Sequence, residues 1–311
     1  MSVGRAAPEP SREDLVDKLI ISCATTGSWP TKAQNPALPT TEEEIAAAAV
    51  ACREAGAAIV HVHVRDEAGR VTCDPNRYAR VRALIEARGC DVIVNMSTGG
   101  GAGSTSDEER LAPVGIDPPP EIASFDCGSL NFGDRVFVNS PQFLRELAGR
   151  MARHGVLPEI ECFEAGHVEN ARRLVEEGLL CPPFWFQFVL GVRGGAPATV
   201  KQLVHMVEML PPGARWSVCA VGRGQLAMDV AAMAMGGHAR TGFEDNLYYR
   251  KGELATSNAQ LVARLARIAA EMNRPLATPD EARTMLGLAA GSSAATRGRQ
   301  RAGATAAWDR W

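Results

Sequence analysis

His61 and His63 close an apolar run, Ala57-Ala58-Ile59-Val60-His61-Val62-His63-Val64-Arg65-Asp66. The β-branched residues predict a strand. Alternate residues of a strand point to the same side, so His61 and His63 project together while Val60, Val62 and Val64 pack the other way. Two converging imidazoles suit a divalent metal such as zinc. The same pattern fits two structural histidines at a strand end, and local spacing does not choose between them.

Such a pair needs elements that hold it. After a polar leader over residues 1–17, strands and helices alternate. Leu19–Ala24 is a first predicted strand. Thr41 three residues before Glu44 is a capping-box pattern that opens a helix, with acids at the favourable dipole end, and Gly56 ends it. The His61/His63 strand follows. Tyr78–Ala87 is predicted as a helix and Asp91–Met96 as a third strand, ending in the loop Ser97-Thr98-Gly99-Gly100-Gly101-Ala102-Gly103. A helix near Asp107–Leu111, a strand at Ile122–Phe125 and a helix over Pro141–His154 come next. Pro158–Phe163 is a fifth strand, with Val168–Glu177 as its helix. Phe184–Gly191 is a sixth strand. The helix from Thr199 carries Val200, Leu203, Val204, Val207 and Leu210 on one face. Trp216–Val221, a helix over Gln225–Met235, a short strand at His238–Phe243 and a helix after Thr256 complete the series. Eight strand–helix units predict a (β/α)8 TIM barrel over residues 18–288. A doubly wound open sheet is the runner-up, but no G-x-G-x-x-G marks a first strand–helix turn. Residues 289–311 are rich in Gly, Ala and Arg and are expected to form a flexible extension.

The chain has 311 residues and a net charge of −3, with no long block of one sign. That offers no footprint for nucleic acid or membrane, and Arg297, Arg299 and Arg301 read as a solvated tail. No apolar run is long enough to span a bilayer, and the first residues lack a signal peptide's apolar core. Eight cysteines without a C-x-x-C pair indicate neither a disulfide framework nor a four-cysteine zinc site. Cys127 and Cys162 lie near strand ends without an evident base and read as buried thiols. A reducing cytoplasm fits best. His154, His167 and His205 receive no role.

Barrel enzymes place chemistry at the C-terminal ends of their strands. His61 and His63 end the second, and Ser97 with its glycines ends the third. Glu161 lies in the fifth, with Glu159 on the same side. Arg240, Glu244 and Asp245 gather after the eighth, which lies near the second in a closed barrel. A carboxylate there can complete a His₂-carboxylate site with an open position, as catalytic zinc requires.

At this point the chain resembles the β-keto acid cleavage enzyme family, which includes 3-keto-5-aminohexanoate cleavage enzymes. The resemblance runs from about Ile20 to Leu286. It is carried by Thr26-Gly27, His61-Val62-His63-Val64-Arg65, Ser97-Thr98-Gly99-Gly100, Asn131-Phe132-Gly133, Gln187–Val192, Gly222-Arg223 and Gly242-Phe243-Glu244-Asp245-Asn246. It implies a (β/α)8 barrel with one Zn2+, acting on a 3-keto acid with acetyl-CoA as co-substrate and releasing acetoacetate and a new acyl-CoA. It implies zinc ligands at His61, His63 and Glu244, and Asp245 as base, assisted by Arg240 and Glu161. It further implies that Ser97, Thr98, Gly99 and Gly100 hold the substrate carboxylate or an oxyanion, with Ser124 at a further substrate position. The loop through Arg193 and Gly194 would lie near the coenzyme A thioester. A homo-oligomer, dimer or tetramer, is expected.

Two departures matter. Trp29 stands where the aminohexanoate-cleaving members carry a Glu suited to a substrate ammonium. An uncharged tail beyond the ketone is therefore expected, with cation–π capture of a quaternary ammonium as the rival. Arg193 stands where Pro is usual; it either meets a coenzyme A phosphate or is a solvated loop arginine. Two other functions compete. A zinc hydrolase of the amidohydrolase type needs histidines on the fifth and sixth strands, where Glu161 and Gln187 stand instead. A catalytically silent metal-binding barrel would not need Arg240, Glu244 and Asp245 together.

Overall fold

The computed structural model describes residues 18–101 and 104–288. Its barrel strands are β1 (Ile21–Ala24), β2 (Ile59–Val62), β3 (Ile93–Met96), β4 (Ile122–Asp126), β5 (Leu157–Cys162), β6 (Trp185–Leu190), β7 (Arg215–Ala220) and β8 (His238–Thr241). All pair in parallel, and β1 joins both β2 and β8, closing the barrel. The helices between them are α1 (Glu42–Glu54), α2 (Pro75–Glu86), α3 (Asp107–Leu111), α4 (Pro141–His154), α5 (Ala165–Glu176), α6 (Val200–Glu208) and α7 (Gln225–Ala234), followed by α8 (Asn258–Glu271) and α9 (Pro279–Met285). The expected barrel is thus present. The expectations for residues 1–17 and 289–311, and for Ala102 and Gly103 of the glycine loop, lie outside the described residues.

Local chemistry explains the helix starts. Thr41 Oγ1 accepts from the Glu44 N–H, and the Glu44 carboxylate accepts from the Thr41 N–H, so the predicted capping box forms. Pro75 occupies the first turn of α2 behind Asp74, three residues earlier than periodicity suggested, because proline needs no N–H partner there. On α6 the buried residues are Leu203 and Met206, while Val200 is half exposed at the first turn. Unpredicted additions are three hairpins, at Val64–Thr72, Leu130–Phe137 and Tyr248–Leu254, and the helix α9.

The barrel interior is graded. Strand alternation sends Val60, Val62, Val94 and Phe125 outward into the layer beneath the helices. Inward and at the bottom lie Ile20, Ile59, Ile93, Ile122, Leu157 and Trp185, plugged by Ala282, Met285 and Leu286 of α9 and the turn after it. One step higher the interior turns polar. Glu159 accepts from Asn95 Nδ2 (2.6 Å) and Trp185 Nε1 (2.9 Å), and Ser217 Oγ donates to Gln187 Oε1 (2.6 Å). These bonds tie Asn95, Glu159 and Trp185 together and Gln187 to Ser217, which makes the layer a fixed floor, although Asn95 Oδ1 has no hydrogen-bond partner among the described residues. The site stands on it.

Candidate active site

His61 is the penultimate residue of β2 and His63 follows the strand, both nearly fully buried at the top of the barrel. Their rings lie 5.1 Å apart. Glu244 reaches them from the loop after β8: its carboxylate lies 3.6 Å from His61 Nε2 and 3.4 Å from His63 Nε2. Backbone geometry puts it there. The Glu244 N–H donates to Ala24 O (3.2 Å), and Phe243 beside it is fully buried with its N–H on Asn258 Oδ1 (2.8 Å). Gly27 (φ +67°) lets the first loop pass against Glu244; a Cβ there would come within 2.6 Å of the Glu244 side chain. Gly27→Ala is therefore expected to push Glu244 outward. Besides the cost of a left-handed alanine, about 1–2 kcal/mol, metal affinity should fall roughly 10–100-fold. Metal titration checks this, and unchanged affinity would mean that Glu244's position is immaterial.

The donors fit a metal. Atoms of His61, His63 and Glu244 lie within 4.8 Å of one another. Among the described residues, His61 Nδ1, His63 Nδ1 and Glu244 Oε2 are buried without a hydrogen-bond partner. Burial holds His61 neutral, the form that ligates. Burial raises the Glu244 carboxyl, but His63, Arg240 and His61 outweigh it and hold it well below the usual range. His61 also lies near Glu159 and Glu161. Those two acids are committed elsewhere, Glu159 to Asn95 and Trp185 and Glu161 to Arg240.

Arg240, on β8, organises the acids. It donates to Glu161 (3.1 Å), Glu244 (2.9 Å) and both oxygens of Asp245 (3.2 Å each), and it is almost fully buried. Burial alone would lower its pKa; Asp245 and Glu244 raise it well above the ordinary value, so the guanidinium stays charged. Burial pushes the Asp245 carboxyl up to about 6, against the pull of Arg240. Glu161 is raised well above its usual value, first by burial and then by Asp126.

A cavity of about 170 Å³ opens over this cluster. Trp29, His61, His63, Ser97, Gly99, Gly100, Ser124, Glu161, Arg240, Glu244 and Asp245 all line it. Thr98, Arg193 and Gly194 do not. Thr98 is buried, with its hydroxyl on Ser124 O (2.8 Å) and its N–H on Ser124 Oγ (2.9 Å), so it ties the glycine loop to β4. Gly99 N–H donates to Ser97 Oγ (3.1 Å), which spends one of the amides expected to face an anion. Arg193 is exposed and pairs with Asp134 at 3.3 Å. Gly194 packs where a Cβ would strike Asn131 O.

Trp29 stands at the mouth, about half exposed. It stacks on Phe132 with ring centroids 5.5 Å apart, and the Arg135 guanidinium stands over it at 5.2 Å. Phe132, Phe137 and Phe163 continue an aromatic wall. The sequence reading missed that wall, because it comes from the Leu130–Phe137 hairpin and a strand end, without periodicity. It also missed Asp126. The strand β4 runs one residue further than predicted and turns Asp126 inward on the same side as Ser124. Arg110 was missed too: buried in α3, it donates to Thr98 O (2.8 Å) and Val138 O (2.9 Å), clamping the glycine loop.

The model of beta-keto acid cleavage enzymes matches residues 18–288. The chain belongs to the beta-keto acid cleavage enzyme family. Two relatives named 3-keto-5-aminohexanoate cleavage enzyme support this. The one from Fusobacterium nucleatum is 46% identical over 88% of this chain and 99% of its own. The one from Acetoanaerobium sticklandii is 43% identical over 88% and 99%. Among solved structures, a ternary complex of ObcA with a C4-CoA adduct and oxalate shares the fold, with a TM-score of 0.75 at 23% identity, covering 83% of this chain and 68% of that one. The enzyme's eight cysteines are all free, and Cys127 and Cys162 are buried with their thiols raised by that burial. No helix among its described residues is long and apolar enough to cross a membrane.

Proposed function

We propose that this enzyme is a zinc-dependent acyltransferase that converts a 3-keto acid and acetyl-CoA into acetoacetate and a new acyl-CoA. The observation that carries this reading is the convergence of His61, His63 and Glu244 on one spot, with Asp245 beside it on the same cavity. Names of relatives agree in reaction type. One from Cupriavidus necator, 38% identical over 88% of this chain and 96% of its own, is called 3-oxoadipate:acetyl-CoA acetyltransferase.

His61, His63 and Glu244 would hold zinc, which when bound supplies Lewis acidity to a chelating 3-keto carboxylate. Asp245 takes the proton from C2 of the keto acid; a carboxylate raised to about 6 is a stronger base than an ordinary one. Arg240 fixes Asp245 through two hydrogen bonds and balances negative charge that develops nearby. Ser97 and Gly100 orient the substrate carboxylate, and Ser124 braces their loop through the Thr98 N–H. The Trp29–Phe132 stack and Phe163 keep water from the substrate tail. Incubating a panel of 3-keto acids with acetyl-CoA and reading acetoacetate and acyl-CoA by mass spectrometry tests the reading. Absence of both products from every acid, with zinc bound, would refute it.

The tail in this reading is uncharged. Trp29 offers apolar surface in place of an acid, and Arg135 above the ring repels an ammonium. Trp29→Glu is expected to shift kcat/KM toward amino-substituted acids by about fivefold, the scale of a half-exposed ion pair of ~1 kcal/mol. Arg135 would compete for the new carboxylate, so the shift should grow in Trp29→Glu/Arg135→Ala. Preference of the unaltered enzyme for an amino or trimethylammonium acid over a neutral one would overturn the charge argument.

A further inference from the structure

A second cavity, of about 860 Å³, lies outside the barrel wall between α7, α8 and the Tyr248–Leu254 hairpin. Four cationic side chains line it, Arg223, Arg250, Lys251 and Arg264, against a single acid, Asp229. Arg250 pairs with Glu253 and Arg264 donates to Tyr249 O, whereas Arg223 and Lys251 are exposed without an ion-pair partner among the described residues. The N-terminus of the ten-residue helix α7 opens on it through the turn Gly222-Arg223-Gly224, with no side-chain cap. Such an end presents backbone N–H groups and positive potential to an anion, and loops after the seventh and eighth strands of barrels commonly bind phosphate. Asp229 gives an independent sign of a ligand: it is fully buried, lines the cavity, and neither carboxyl oxygen has a hydrogen-bond partner among the described residues. Burial, then Asp245, pushes its carboxyl well above the usual range, which favours the neutral form and lessens its repulsion of an anion. The half-exposed ring of Tyr248 offers a surface on which a base can stack.

We propose that this cavity binds an adenosine phosphate, with the Gly222-Arg223-Gly224 turn, Lys251 and Asp229 at its phosphates and Tyr248 at its base. The ligand chemistry has two sources, the nucleotide end of a coenzyme A thioester or a free nucleotide. The first rests on the acyl-CoA-dependent function proposed above. It is geometrically open, because the Gly222 N–H donates to Asp245 O (2.7 Å) and so only one segment of chain separates the cavity from the catalytic cluster.

The test titrates the full chain with adenosine 3′,5′-bisphosphate by calorimetry and needs no turnover. Binding is expected, weakened about tenfold or more (about 1.4 kcal/mol) in Arg223→Ala/Lys251→Ala, both exposed positions away from the catalytic cluster. Tyr248→Ala should weaken the bisphosphate about fivefold or more while leaving inorganic phosphate unchanged, the scale of one base–aromatic stack. No binding at millimolar concentration, or binding that ignores the double variant, would overturn the proposal. A second arm separates the sources. A tenfold rise in KM for acetyl-CoA in the double variant, with kcat and the KM for the keto acid unchanged, identifies coenzyme A; an unchanged KM alongside weakened bisphosphate binding identifies a free nucleotide.

Discussion

Asp245→Asn is expected to retain metal and fold yet lose at least about a hundredfold in turnover, the usual scale for a general base. Asparagine keeps the size of the side chain and one acceptor for Arg240, and Arg240 retains its bonds to Glu161 and Glu244. It cannot take a proton from carbon. The other acids are poorly placed to substitute. Glu244 faces both histidines, and Glu159 is bound to Asn95 and Trp185 in the floor. Glu161 and Asp126 are the alternatives: both line the cavity, Glu161 shares Arg240 at 3.1 Å, and Asp126 Oδ2 is buried without a hydrogen-bond partner among the described residues. Steady-state kinetics with metal analysis on the same preparation decides. Near-normal turnover with full zinc would move the base to another cavity acid, first to Glu161.

Replacing His61 by alanine should have a still larger effect, taking zinc from about one per chain to almost none and turnover with it. A three-ligand site that loses one ligand keeps two, too few to hold an open-coordinate zinc firmly. The fold should persist, because Glu244 keeps its 2.9 Å bond to Arg240 and its backbone anchor on Ala24. Metal analysis checks the loss, and full occupancy in His61→Ala would refute the ligand set. Glu159→Gln separates this set from its neighbour. It should leave metal content unchanged, whereas loss of zinc there would place the ion lower in the barrel.

Much of the site was legible because strands obey a two-residue period. That period put His61 with His63 and Glu159 with Glu161 on common sides, and the structure turns all four inward. It also marked Val60 and Val62 as outward, where they pack beneath the helices. Legibility failed where no period applies. Phe132 and Phe137 sit on an irregular hairpin, and Arg110 acts through carbonyls of distant loops. Asp126 was hidden by an error of one residue in the end of a strand. Thr98 and Gly99 read as substrate contacts; Gly99 lines the cavity, while Thr98 lies behind it with its hydrogen bonds tying the loop to Ser124.

Taken alone, the order of residues determined the eight strand–helix units, the capped start at Thr41 and the shared facing of His61 with His63 and of Glu159 with Glu161, since propensity, capping and alternation act within a few residues of chain. The metal-site geometry was decided only in three dimensions. His61 and Glu244 are far apart in the chain and meet because β1 pairs with β2 on one side and β8 on the other, which brings the two strand ends to one rim. The charge state of the cluster was likewise decided there. Burial raises each acid, Arg240 and the histidines lower the ones they touch, and that balance exists only after the barrel has excluded water from all of them.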